Sequence, residues 1–119
     1  MAKYTKGKIV LAYDKNHKIA VDGKLHDSDI WGIHKGWNET KKSYLPSYNI
    51  TSLPIGKALC AEIKTYKEAR FILENVLKDF PALLTVKSDK YWDVINNAYG
   101  KLVHKRLQEL KKQFNNEKK

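Results

Sequence analysis

The sequence predicts an α+β fold: a curved, mostly antiparallel sheet of about five strands, then two C-terminal helices, the last one long. Three observations carry this. Asn49–Leu53 is rich in β-formers and is followed by Pro54-Ile55-Gly56, where Pro presets one φ and Gly accepts a positive one. Thr65-Tyr66-Lys67-Glu68 is a capping box, and Ala69, Ile72, Leu73, Val76 and Leu77 behind it form one apolar stripe at helical spacing. From Asp89 to about Phe114 the chain reads as a single long basic amphipathic segment.

The elements follow in order. Gly7–Asp14 is a strand, and its Ile9-Val10-Leu11 run marks it as well buried. Lys15-Asn16-His17 links it to Lys18–Asp22, the second arm of a hairpin that Gly23 ends. Leu25–Asp29 is irregular. Ile30–Trp37 is the third strand, and its Trp31, Ile33, Lys35, Trp37 face should meet the core. Asn38–Ser43 is an exposed turn, and Tyr44-Leu45-Pro46 leads into the next strand at Tyr48. Lys57–Ile63 alternates, with Ala58, Cys60 and Glu62 on one side and Leu59, Ala61 and Ile63 on the other. The sheet part therefore spans 1–63.

The first helix spans 65–79, because the residue before Pro81 avoids the helical region. Pro81–Ser88 is a connector whose Leu83, Leu84 and Val86 should stay partly buried. Ser88 caps the second helix, 89–114, and Asp89 in its first turn suits the dipole. That helix is nearly 40 Å long at ~1.5 Å per residue. Trp92, Ile95, Tyr99 and Leu102 form one apolar row; Val103, Leu107, Leu110 and Phe114 continue it one step round. Its far half looks too long for its own small sheet, so a partner chain covering Leu107, Leu110 and Phe114 is expected, which makes a homo-oligomer. Residues 115–119 are a solvated tail.

The 119 residues suit one domain, 1–119. The single cysteine, Cys60, excludes an internal disulfide and fits a reducing cytosol. Met1–Lys8 is polar and basic, which reads as no signal peptide, and no run approaches the ~20 apolar residues of a membrane helix. The net charge of +10 invites a polyanionic partner. Nearly all the basic residues are lysines, however, as an AT-rich genome writes onto any solvated surface. Arg70 and Arg106 are the only arginines.

No catalytic or metal motif stands in the chain. His17, His26, His34 and His104 are scattered, and a structural zinc site wants four converging ligands. Cys60, placed mid-strand, lacks an activating context. No enzyme activity, metal or cofactor is expected. Binding chemistry is better represented. Lys57 follows a tight turn and can meet a phosphate. Phe80, Tyr91 and Trp92 cluster near the start of the second helix, where an aromatic can stack a base, although core packing is the ordinary use of Trp92. Asn96 has the donor and acceptor to read an adenine edge. Arg106 lies at the margin of the apolar row, as a snorkelling stem or a phosphate clamp. The basic second helix can also lie along a nucleic-acid backbone or an acidic protein, and an inhibitor of a nucleic-acid-guided nuclease is one version of that alternative.

Tyr48–Leu77, YNITSLPIGKALCAEIKTYKEARFILENVL, resembles a pattern common in small phage and mobile-element proteins. With the N-terminal sheet, two C-terminal helices and overall length, the chain resembles the first type of Thoeris anti-defence protein. The resemblance implies a phage protein in the cytoplasm of an infected bacterium. It implies a homo-oligomer that sequesters a cyclic nucleotide or cyclic ADP-ribose-type immune signal between subunits, without catalysis. It further implies an aromatic, an asparagine and an arginine near and within the last helix as ligand holders, here Phe80, Asn96 and Arg106-Leu107.

Overall fold

A computed structural model describes residues 3–12 and 17–117. Five strands, β1 (Tyr4–Ala12), β2 (Lys18–His26), β3 (Trp31–Asn38), β4 (Ser43–Ser52) and β5 (Ala58–Ile63), form one antiparallel sheet in sequence order. Helix α1 (Tyr66–Asp79), a 3₁₀ turn (Pro81–Thr85) and helix α2 (Asp89–Glu117) follow. The α+β class, the curved sheet and the long last helix are as expected. No described helix is long and apolar enough to cross a membrane.

The first hairpin is longer than its sequence suggests. Gly23 does not end β2 but pairs with Gly7 on one side and His34 on the other, and Leu25 and His26 belong to the strand. The turn falls after them, where Asp29 takes φ 61°. Glycine here is a packing residue rather than punctuation. A Cβ on Gly23 would lie 2.5 Å from Ile9 Cδ1 and 2.7 Å from the Ile33 carbonyl, and one on Gly32 would lie 2.8 Å from Ile9 Cδ1. Ile9, fully buried, thus lies over bare backbone. The sheet rolls far enough for the Ala12 N–H to donate to the Gly56 carbonyl at 3.3 Å, so β1 reaches the β4–β5 turn without closing a barrel. Tyr13–Asn16, read as the end of the first strand and part of its link, lie outside the described residues.

That roll buries both faces of β3. Trp31 and Ile33 meet the helices as expected, while Lys35 is exposed and Trp37 half-buried. Gly32, His34 and Gly36, placed on the less apolar face, are buried too. The His34 Nδ1 lies 2.8 Å from the Lys35 carbonyl, which can only accept, so Nδ1 carries the proton. Its Nε2 then accepts from the Thr51 hydroxyl at 2.6 Å. Burial holds this imidazole below the ordinary histidine value.

β4 begins at Ser43, before its sequence-based start. Lys35 pairs with Tyr48 and Trp37 with Tyr44, so Leu45-Pro46-Ser47 bulge opposite Gly36, and Pro46 owes the ladder no donor there. The Pro-x-Gly turn forms as predicted, with Gly56 at φ 71°. The strict alternation of β5 fails at Glu62, whose φ of 58° makes a second bulge. Cys60 and Ile63, expected on opposite faces, are therefore both buried.

Helix α1 is as predicted: the Glu68 N–H donates to the Thr65 hydroxyl at 3.1 Å, and the whole Ala69–Leu77 stripe is buried. In the connector Leu83 and Val86 are buried, but Leu84 is exposed. Helix α2 corrects two expectations. It runs on through Asn115 and Asn116, so these continue the helix rather than start a tail. Its far half needs no partner chain either: Leu107, Leu110 and Phe114 are 5%, 0% and 7% exposed within one chain. Phe71 in the first half of α1 meets Phe114 at 5.5 Å between ring centroids, and Phe80 just past its end meets Tyr99 at 6.4 Å. The two helices are antiparallel, and α1 with the 3₁₀ turn gives α2 a floor along most of its length. The exposed apolar residues of α2 are instead Tyr91, Val94, Tyr99 and Leu102.

Two outcomes test this architecture. Leu110→Ala should lower stability by about 2–5 kcal/mol through lost burial and a cavity. The stability lost should be the same at about tenfold lower protein concentration, whereas cover of Leu110 by a second chain makes that loss concentration-dependent. His34 sets a pH dependence. Its folded pKa lies below its unfolded value, so below pH about 6.5 the unfolded chain binds the extra proton. Stability should be complete above that value and fall on acidification until the native ring itself protonates. Urea titrations of His34→Gln should show a flatter acid limb; an unchanged slope contradicts the neutral, buried imidazole.

Candidate functional site

The β4–β5 turn delivers Lys57 and then Ala58 and Leu59 to the flank of α2. That flank presents Trp92, Asn96, Gly100 and His104 at intervals of four, with Val103 and Leu107 beside them. Ala58 and Gly100 have little or no side chain, so strand and helix do not close on each other. A cleft of about 230 Å³ remains. Leu83, Ile95, Val103 and Leu107 make its apolar part, and Asn96 and His104 its polar part. This is the usual division in a small-molecule site, an apolar wall with a few placed polar groups.

Trp92 stands at one end. Its ring lies 6.4 Å from that of the fully buried Trp31. The Lys57 ammonium sits 5.9 Å above it and 3.2 Å from the Asp89 carboxylate. A second cavity, about 490 Å³, adjoins the first across Ala58 and Trp92; Lys57 lines it, and it reaches His34, Asn49 and Thr51. The Lys57–Asp89 pair is exposed, and such pairs contribute only about 0–1 kcal/mol, so an incoming anion can take the ammonium at little cost.

Of the sequence-derived candidates, Trp92, Asn96 and Leu107 line the cleft, and Lys57 joins them through the Trp92 ring from the adjoining cavity. Phe80 and Arg106 do not. Arg106 is ten residues beyond Asn96; at ~100° per residue this turns it roughly a quarter of the way round the helix. Its Nε donates to Asp79 Oδ2 at 2.5 Å, which ties the end of α1 to α2, and Phe80 packs on Tyr99 on the same flank. Around Arg106 is an open depression shared with Glu109, Lys112, Gln113 and Asn116. Within one chain, therefore, no clamp of Phe80, Asn96 and Arg106 forms.

Ala58, Gly100 and His104 were missed as site residues. The spacing of Trp92, Asn96, Gly100 and His104 was visible, and an unexplained glycine inside a helix was the signal. His26, considered for a metal, instead bonds Ser28 Oγ at 2.8 Å in the turn after β2. Burial raises the Cys60 thiol, which suits a core residue.

Comparison of the chain with protein-family models, curated proteins and solved structures yields no match.

Gly100 separates fold from site. A Cβ there would come within 2.8 Å of the Asn96 side-chain oxygen alone, a flexible group that can swing away. Gly100→Ala should raise stability by up to about 1 kcal/mol, the mid-helix cost of glycine. It should also shift Asn96 and narrow the cleft. A fall in the melting midpoint shows that the helix needs this glycine for packing.

Proposed function

We propose that the protein binds a nucleotide-type anion in the β5–α2 cleft and sequesters it without chemical change. Supporting this is one observation above all: an indole, an amide and an imidazole (Trp92, Asn96, His104) line one cleft with an apolar floor, and the Lys57 ammonium, from the adjoining cavity, sits over the same indole. The space suits a single base-sized heterocycle. In this reading the base takes the Trp92 face now covered by Lys57, Asn96 reads its edge, and the displaced ammonium turns to the phosphate. The adjoining cavity takes the rest of the ligand. The resemblance to anti-defence sponges points to cyclic nucleotides and cyclic ADP-ribose isomers as the ligand class, and to an infected bacterial cytoplasm as the setting. Depletion of a signal needs tight binding and slow release, not catalysis.

The proposed site differs from the one the resemblance implies. All its residues come from one chain, and Arg106 has no part in it. A homo-oligomer, on this reading, uses the exposed Tyr91, Val94 and Leu102 row, which is separate from the cleft.

Incubation with a panel of cyclic nucleotides and cyclic ADP-ribose isomers, gel filtration, heat denaturation and mass spectrometry of the supernatant test this. Intact ligand, about one per chain, is expected. Trp92→Ala and Asn96→Ala should each weaken uptake at least about tenfold, or about 1.4 kcal/mol, while Arg106→Gln should leave it near wild type. A chemically altered ligand means an enzyme, and no uptake from the whole panel ends this reading.

A further inference from the structure

A second surface lies far from the cleft. Helix α1 packs over β3, β4 and β5 and leaves the same face of the sheet open at β1 and β2. An open trough of about 800 Å³ results. Lys6, Lys8, Lys24 and Lys35 line it, and Tyr48 and Tyr66 wall it. Its charge is unbalanced. Lys8 is tied to Asp22 at 2.5 Å, but among the described residues no carboxylate forms a salt bridge with Lys6, Lys24 or Lys35.

The register sharpens this. Lys6 and Lys24 are directly opposed cross-strand partners. Like charges so placed destabilise a sheet. An anion lying across them reverses the sign of that interaction. The strand geometry repeats the charge at about 5 Å between strands and about 7 Å along them, a row rather than a point.

The walls suit bases. The rings of Tyr48 and Tyr66 lie 6.1 Å apart, and Lys35 sits 6.0 Å over Tyr48. Behind them the Arg70 guanidinium is stacked 4.9 Å from the Tyr4 ring and 5.9 Å from that of Tyr66, which fixes Tyr66 in place. Burial raises the Tyr66 hydroxyl, so it keeps its proton and can donate. A cationic row beside aromatic faces matches a backbone with splayed bases. A duplex hides its base faces and would use only the lysines. The exposed lysines of α2, Lys101 and Lys105, are not among the residues that line this trough. We propose that the trough formed by β1, β2, β3 and the start of α1 binds single-stranded nucleic acid, independently of the cleft.

Fluorescence anisotropy with a labelled fifteen-nucleotide oligothymidylate, its RNA counterpart and a matched duplex tests this between 50 and 300 mM salt. Single strands should bind more tightly than the duplex. The log–log salt slope should be about −2 to −3, as expected for three or four neutralised phosphates on a single strand. The double variant Lys6→Gln, Lys24→Gln should weaken binding at least tenfold and reduce that slope by about 1.4. Its thermal midpoint should stay level or rise, since a like-charge pair is removed. Tyr48→Leu should weaken binding about tenfold with the slope unchanged. The double variant Lys101→Gln, Lys105→Gln should bind within twofold of wild type. Equal losses from both lysine pairs reduce the trough to a solvated basic surface and overturn the proposal. So do preference for duplex, absence of binding at 50 mM salt, and stronger competition from polyglutamate than from unlabelled oligothymidylate.

Discussion

One buried hydrogen bond sets where everything after the sheet can lie. Trp31 is fully buried, and its indole N–H donates to the Leu83 carbonyl at 2.9 Å. The bond joins the third strand to the 3₁₀ turn, 52 residues later. That turn reverses the chain between the two helices, so the indole fixes the start of α2. Trp92 then rests on Trp31, and the cleft opens between Trp92, the β4–β5 turn and β5. If either partner were lost, a polar group would be stranded in the core at a cost of about 1–3 kcal/mol. The geometry downstream would lose its reference point. No strain or unusual backbone is needed; an indole is a large apolar side chain with a donor on its edge.

A second constraint works on the opposite face of the sheet. Side chains at Gly23 and Gly32 would collide with Ile9, so bare backbone at these two positions is what lets β1 roll back over β3. The roll brings Ala12 to Gly56 and shelters His34 and Thr51. The two faces then do different things. The helix face carries the main core, and where α1 runs out it becomes the lysine trough. The inner face carries a small separate packing of Ile9 and Val21, and where that runs out the cavity beside Trp92 begins. Both candidate surfaces are places where a packed layer stops before the sheet does.

Local chemistry made much of this readable in advance. The capping box at Thr65, the stripe from Ala69 to Leu77, the Pro54-x-Gly56 turn and the stop at Pro81 each depend on neighbours within a few residues. What was misread depends on distant partners. Gly23 looked like an ending because glycine usually is one; only Ile9, fourteen residues earlier, shows it to be a packing site. Glu62 broke the alternation of β5 through a bulge that no residue type announces. The length of α2 suggested a second chain because the floor supplied by α1 and the 3₁₀ turn cannot be seen until both are placed. Four of the six candidate site residues converged because they share one turn and one helix flank. Phe80 and Arg106 were chosen by residue type, one beside Tyr91 and Trp92 and the other at the margin of the apolar row, but Phe80 packs on Tyr99 and Arg106 on Asp79, away from the cleft.

Arg106 shows why phase outweighs residue type. An arginine near an apolar helix row is a sensible anion clamp by chemistry alone. Here its guanidinium meets Asp79 in the last turn of α1, with both groups about one-third exposed. A pair so placed gains little net stability, yet it selects one rotation of α2 relative to α1, since only one phase brings residue 106 over residue 79. That same rotation points Asn96, Gly100 and His104 at β5. The arginine thus belongs to the site's geometry without touching it. Replacing it alters binding only to the extent that α2 turns, and the long buried row from Ile95 to Phe114 resists that turning far more strongly than one partly solvated ion pair can drive it.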